Sequence, residues 1–481
     1  MKKVFTLLLA ALMLLSAPMA LMAEGIGSAD APVKVTILEK DVLPIEEDVQ
    51  LMVEAIEKGM AAQGNYVKLE YLEAPAGKYV DVVPLALRTG QYSADIVYFQ
   101  NGVELELAQE DMLFDLTDYV NNSTYVKSLY KDYNWARLAK FPYLLWLCPA
   151  FTYVPNIRTD LLNKLDSKDT FLADPTPENF TALLSELKEK KLAEYPLTTD
   201  NNKLRLDGFL NQAFGITTSI MKYEDKWIFA EISEGTKAKL KYLNSLYTEG
   251  LLDPEFITNT WDVMEQRYYE GISAVISARA GATIKIHDDK MVAVHGPEAT
   301  LTILPPLKGL GNTYAAVDVT REPRGFAIMA DSEVKDAAFA VIEYISSPEG
   351  RLLDKVGIEG KHYTRQGDTI TLTDKYPEWW GRFFETNDGM DPKYLFTTPL
   401  NSEAVLDSIA KSEEYYVEDI NVLTPDFLIT QKDAMNNIYA EYYVDFITGA
   451  KDIEAEWDAF VTEWNANGGD EFSEYLATVL E

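Results

Sequence analysis

Cysteine is almost missing from this chain of 481 residues: Cys148 is the only one, so no disulfide can form within it and its stability must come from a large core. That thiol sits in the apolar run "YLLWLCPAF" and reads as a small buried hydrophobe. Histidine is nearly as scarce. His287, His295 and His362 are too dispersed to make a zinc cluster, no HExxH is present, and His287 and His295 are expected to be ordinary surface residues. No G-x-S-x-G elbow occurs, "GIEGKHY" lacks the spacing and hydroxyl of a phosphate loop, and "GLGNTY" lacks the third glycine of a dinucleotide fingerprint. With 77 acidic residues, carboxylate pairs for glycoside hydrolysis can always be imagined and carry no weight without geometry. The chain is therefore read as a non-enzyme that needs no metal and no cofactor.

Positive charge is also in short supply. Against 77 acidic residues stand 43 basic ones, for a net charge of −34, or −36 once Lys2 and Lys3 are removed with the leader described next. Such a surface repels nucleic acid and anionic lipid, which excludes nonspecific binding to either. The apolar run in "MKKVFTLLLAALMLLSAPMALMAEG" is only about a dozen residues, short of the roughly 20 needed for a membrane span. Two lysines, that run and the small residues ending at Ala23 have the layout of a secretory signal peptide, with Glu24 as the expected mature N-terminus. No cysteine lies near the junction, so a bacterial lipid anchor has no attachment point. A free periplasmic or extracellular protein is expected.

The body of the chain alternates strand and helix patterns. "VKVTIL" (33–38), "VKLEYLEA" (67–74) and "ADIVYF" (94–99) read as strands, separated by a helix that Asp48 caps and a short one from Asp81 to Arg88 with Pro84 in its first turn. This order implies a parallel sheet with crossover helices, whose ligands lie at the carboxyl ends of the strands, here at "QNGVE". "FPYLLWLCPAFTYVPN" is broken by three prolines and reads as extended chain between two lobes. Thr176 caps a helix over "PENFTALLSELKEK", and Ser233 caps another whose Leu240, Leu243 and Tyr247 share a face and which Gly250 ends. "ISAVISARAG" and "RGFAIMA" are further strands, and the chain from about Thr371 reads as mostly helical. No internal repeat and no low-complexity linker is found, which suits lobes that share several chain passages and move as hinged bodies.

Aromatic residues are plentiful: "DYNWARLAKFPYLLWL", "TNTWDVMEQRYYEG" and "KYPEWWGRFF" each fall near an expected lobe crossing or lobe edge. Sugar rings lay apolar faces on aromatic planes while their hydroxyls bond polar side chains, so such clusters suit a carbohydrate site. The competing reading is core packing, since tryptophan is highly buried on average. A helix starting at Pro377 places Trp379 over Phe383 and, about 100° round, Trp380 over Phe384. The expectation is that Trp380 and Phe384 pack inward while Trp379 faces ligand.

The stretches "NIRTDLLNKL", "LNSLYTEGLLDPEF", "FAIMADSEVKDAAFAVIEYISSPEGRLLDKVGIEGKHY" and "EYYVDFITGAKDIEAEWDAFVTEWNANGGDEFSEYL" occur in an order that resembles the family 1 extracellular solute-binding proteins of bacterial ABC importers. The similarity leans toward the longer LipO-type and alginate-oligosaccharide-binding members of this maltose-type group. The resemblance implies an α/β, two-lobed periplasmic-binding-protein fold of type II with an inter-lobe cleft, a carbohydrate ligand captured by hinge closure, and delivery to an ABC permease by a monomeric protein. It divides the chain into signal peptide (1–23), first part of lobe 1 (24–150), first part of lobe 2 (151–312), return to lobe 1 (313–370) and a helical C-terminal region mainly in lobe 2 (371–481). Gln100 and Asn101 are then the expected hydroxyl partners from lobe 1, with Trp135 and Trp146 near the first crossing. Lobe 2 is expected to supply Trp261 as a platform and Arg279 as a polar clamp, and Trp379 a stacking ring by its position after the last crossing. Where alginate-type relatives carry an acidic calcium loop this chain reads "LKEKKLAEYPLTTD", so no calcium is expected. A secreted carbohydrate-binding or carbohydrate-active protein without a permease, and a peptide or amino-acid binder of the same fold, are the alternatives.

Overall fold

A computed structural model of the protein describes residues 25–99, 104–145, 152–317, 325–379, 381, 390–420, 422 and 424–480. In chain order its strands are β1 (Val33–Leu38), β2 (Val67–Leu72), β3 (Ile96–Phe99), β4 (Tyr153–Arg158), β5 (Ile220–Tyr223), β6 (Lys226–Phe229), β7 (Val275–Arg279), β8 (Leu301–Ile303), β9 (Gly325–Ile328), β10 (Tyr363–Gln366), β11 (Thr369–Leu372) and β12 (Leu395–Phe396).

The fold is two-lobed and mixed α/β. The first lobe is built on a sheet of order β2-β1-β3-β9. Its β-branched first strand pairs in parallel with β2 (Val35 opposite Leu69) and with β3 (Ile37 opposite Ile96), as strand–helix–strand connectivity requires. Strand β9 returns from far along the sequence and adds antiparallel to β3, Ile96 facing Ile328. Helix Glu47–Ala62 buries Val49, Met52, Ile56 and Met60 on one stripe. It starts two residues earlier than a cap at Asp48 would give, with Glu46 at the cap, and Asp48 instead pairs with Lys361 at 2.5 Å. Helix Tyr79–Arg88 likewise starts ahead of Asp81.

The second lobe is built on the antiparallel sheet β7-β4-β8, with Tyr153 opposite Arg279 and Asn156 opposite Ile303. Two helices follow the capping chemistry legible in the sequence: Thr176 Oγ1 accepts from Asn179 N at 3.2 Å, and Ser233 Oγ accepts from Thr236 N at 3.2 Å. The helices Glu403–Glu414, Ile429–Thr448 and Ile453–Trp464 send Val405, Tyr443, Phe446, Phe460 and Trp464 into the same core as β4 and β7. The chain between Ala315 and Asp419 ties two passages together, since Val317 N donates to Val417 O at 2.9 Å and Asp419 N to Val317 O at 3.1 Å.

The expectation of a mostly helical chain from Thr371 fails for the described residues ahead of Glu403. The β-branched run at Thr369–Leu372 pairs with Tyr363–Gln366 across a turn at Gly367, whose φ is +64°, and β12 adds to it. Among the described residues the C-terminal helices begin at Glu403. This small sheet packs as a satellite on helix Pro348–Val356 of the first lobe through Leu352, Val356, Tyr363 and Ile370. Among the described residues, no helix is long and apolar enough to cross a membrane.

Candidate functional site

In the second lobe, the amino end of β4 and the carboxyl end of β7 lie side by side, and the chain around them collects most of the lobe's site chemistry. Residues 197–200 run beside β7, with Thr198 N donating to Val275 O at 3.2 Å, so the following Asp200–Asn201–Asn202 turn emerges at that same edge. Helix Leu204–Leu210 then packs down onto β4 because Gly208 has no side chain: a Cβ there would lie 2.9 Å from Tyr153 Cβ and 3.0 Å from its carbonyl oxygen.

This close approach places Arg205, only 6% exposed, between two aromatic rings. Its guanidinium lies 5.1 Å from the Tyr153 centroid and 4.3 Å from that of Trp261. Its Nε donates to Asp200 Oδ1 at 2.7 Å and one Nη to Ser277 O at 3.1 Å. Asn202 Nδ2 reaches the Tyr153 hydroxyl at 3.2 Å. Trp261 is the first residue of a helix capped by Thr260, and Asn259 before it is anchored by Nδ2 bonds to Thr199 O (3.1 Å) and Asp253 Oδ2 (2.9 Å). The loop that carries the tryptophan is thus fixed to the turn that carries Asp200.

Behind Trp261 stands His287, expected on the surface and in fact fully buried. Helix Ala282–His295 turns Ile284, His287, Asp288 and Met291 inward, a spacing of one helical face hidden in a polar-looking stretch. The His287 ring lies 5.7 Å from Trp261, and its Nδ1 shares a 2.7 Å hydrogen bond with the Tyr269 hydroxyl. Burial, with the Arg205 charge adding to it, pushes the imidazole down to about 4, so it is neutral near pH 7. His295 is exposed, as expected.

The other predicted site residues distribute differently. Arg279 ends β7 opposite Tyr153, half-buried, so Trp261 and Arg279 are brought to one edge through Arg205 and Tyr153. Trp135 is half-buried in the first lobe, edge-on to Tyr130 at 4.9 Å and against the lobe's core. Trp379 does not lie on a helix. A single 3₁₀ turn, Tyr376–Glu378, ends there, and Trp379 is extended (φ −75°, ψ 132°). Its indole N–H donates to Asp354 O at 2.7 Å while the ring rests on His362 at 5.0 Å and over Gly357, where a Cβ would come within 2.8 Å of it. Fixing the indole this way competes with continuing the helix. Tyr376 beside it packs on the small satellite sheet, and burial raises its hydroxyl above the usual range. Gln100, Asn101, Trp146, Cys148, Trp380, Phe383 and Phe384 lie outside the described residues. Next to Gln100 and Asn101 in sequence, buried Glu104 has its carboxyl pushed up to about 7 by desolvation.

Sequence reasoning missed Arg205, Tyr153 and Asp200. The one signal that pointed to them was an arginine inside the otherwise apolar helical face of "LRLDGFL".

The chain matches the family model described as bacterial extracellular solute-binding protein over residues 45–352. It is similar to a protein encoded in the butB 5′ region of Niallia circulans, 24% identical over 262 residues that make up 48% of this chain and 93% of that one. Among solved structures, the fold resembles an HMO-binding, ABC-transporter-associated solute-binding protein of Bifidobacterium longum infantis, with a TM-score of 0.69 at 15% identity over 92% of this chain and 97% of that one. It also resembles the N-glycan transport solute-binding protein NgtS of Streptococcus pneumoniae, with 0.67 at 15% identity over 92% and 96%, and the alginate-binding protein AlgQ2, with 0.64 at 16% identity over 94% and 98%. With the two-lobed fold in place and 308 residues inside the match, the chain belongs to the bacterial extracellular solute-binding protein family.

Proposed function

We propose that the protein is the extracytoplasmic solute-binding component of an ABC importer and that its solute is a carbohydrate, an oligosaccharide rather than a single sugar. The observation that carries this reading is the Trp261–Arg205–Tyr153 stack at the edge of the second lobe's sheet. An indole backed by a buried cation is a rigid apolar plane, and Asn202, Asp200 and Arg279 around it supply hydrogen-bonding groups of the kind that sugar hydroxyls need. Gln100 and Asn101 are the proposed partners from the first lobe, and Trp135, Trp146 and Trp379 the proposed aromatic wall. The relatives whose names mention alginate, N-glycan or HMO binding support the choice of ligand class.

Capture follows from geometry. A ligand touching only one lobe cannot shift the hinge, whereas one that bonds both lobes favours the closed form by its differential affinity. Micromolar affinity corresponds to about −8 kcal/mol, within reach of one or two stacked rings and several buried hydrogen bonds. The closed form would be presented to a membrane permease by a monomer that is exported and cut after Ala23. The lobes would comprise residues 24–150 with 313–370, and 151–312 with most of 371–481. Thermal-shift screening against mono- and oligosaccharides and short peptides tests this: oligosaccharides raise the melting temperature and Trp261→Ala weakens the best hit at least tenfold. Stabilisation by peptides alone would refute it.

A further inference from the structure

A second recess of about 140 Å³ lies on a different face of helix Leu204–Leu210, the one carrying Leu204, Asp207 and Asn211. Its far wall includes Ala315, Ala316 and Asp419 from the two chain passages that run together there. We infer that this recess binds a protonated amine.

The argument rests on which polar groups remain unspent. Lys239, 2% exposed, donates to Asp207 and, at 2.8 Å, to Asn211 Oδ1. The Thr218 hydroxyl donates to Ile220 O and the Thr236 hydroxyl to Ala230 O, both at 2.6 Å, so each turns lone pairs rather than its proton to its surroundings. Glu231 lines the recess with Oε2 shielded from solvent and without a hydrogen-bond partner. Leaving such an acceptor unmet carries a desolvation cost that an incoming donor recovers. The donors in the lining are the Asn211 amide, the Tyr439 hydroxyl and, on exposed residues at the rim, the Thr217 and Ser219 hydroxyls; the shielded part around Glu231 offers acceptors. Of the three acids in the lining, Asp207 pairs with Lys239 and Asp419 accepts from Ser219 N (2.7 Å) and Ile420 N (2.9 Å), so Glu231 is the acid left to meet an incoming group; burial holds its carboxyl above the usual range, and a cation beside it restores the ionised form. The nearby Lys203 is turned onto the Tyr439 and Tyr443 rings, 4.4 and 5.3 Å from their centroids. Among the described residues no three His, Cys, Asp or Glu side chains converge as metal ligands would, so a bare metal ion does not fit. An ammonium group supplies three donors and one positive charge, and the volume admits such a head group without a whole oligosaccharide.

The inference does not rest on the carbohydrate reading, since the recess and the Trp261 platform lie on separate faces of the helix. Calorimetric titration of the purified protein with glucosamine, N-acetylglucosamine and 1,4-diaminobutane tests it. Binding of either amine, at least tenfold tighter than the acetylated sugar, is the expected result, and Glu231→Gln should weaken it at least tenfold. Preference for glucosamine assigns the amine to a sugar, and preference for the diamine assigns it to a separate small solute. Failure of both amines to bind, equal binding of N-acetylglucosamine, or unchanged affinity in a folded Glu231→Gln protein would overturn the assignment.

Discussion

Removing Arg205 should be among the most damaging single changes in the second lobe. The Arg205 and Asp200 side chains are each 7% exposed, and their ion pair is 2.7 Å long. Replacing one member of a buried pair leaves the other as an uncompensated charge, at a cost of about 3–5 kcal/mol. Arg205→Ala also removes the cation that both Tyr153 and Trp261 stack on, worth roughly 1 kcal/mol per ring at a partly desolvated site. A loss of about 5–7 kcal/mol follows, read by urea unfolding followed by circular dichroism. Most of it comes from the stranded Asp200 carboxylate, so the double variant Arg205→Met with Asp200→Asn should recover at least half. A loss below about 1 kcal/mol, or a double variant as unstable as Arg205→Ala alone, would refute the reasoning.

Gly208→Ala puts a methyl group 2.9 Å from Tyr153 Cβ and should push the helix carrying Arg205 away from β4, costing about 1–3 kcal/mol and weakening ligand binding by calorimetry. His287, held near 4 against an ordinary value of 6.5, keeps its proton off while the unfolded chain takes one up. Stability should therefore be full above about pH 6.5 and fall by about 3 kcal/mol on the way to pH 4, with a shallower acid limb in His287→Phe. Glu104 acts with the opposite sign: its carboxyl, raised from 4.5 to about 7, contributes stability below pH 4.5 that is lost as pH rises through 7, and Glu104→Gln should remove that loss in the same denaturation series.

Local structure was largely legible. The run "VKVTIL" is β1 to the residue, and the Thr176 and Ser233 caps sit where their hydroxyl chemistry puts them. What escaped was set by distant partners. Tyr153, Arg205, Trp261 and Arg279 come from four segments, and only the antiparallel register of β4 with β7 and the bare face of Gly208 bring them together. His287, expected on the surface, is followed by two acids, yet the first of them, Asp288, is itself buried and accepts from Leu301 N at 2.7 Å. The aromatic stretch 376–384 suggested a helix, but the Trp379 indole found the Asp354 carbonyl, a partner 25 residues away that no local pattern announces.

The central claim is that a carbohydrate is held between the two lobes. Small-angle X-ray scattering of the purified protein, with and without a saturating oligosaccharide from the thermal-shift screen, tests it most directly. A fall in radius of gyration on binding, abolished in Trp261→Ala at the same sugar concentration, is predicted. An unchanged radius of gyration with the sugar demonstrably bound would contradict it.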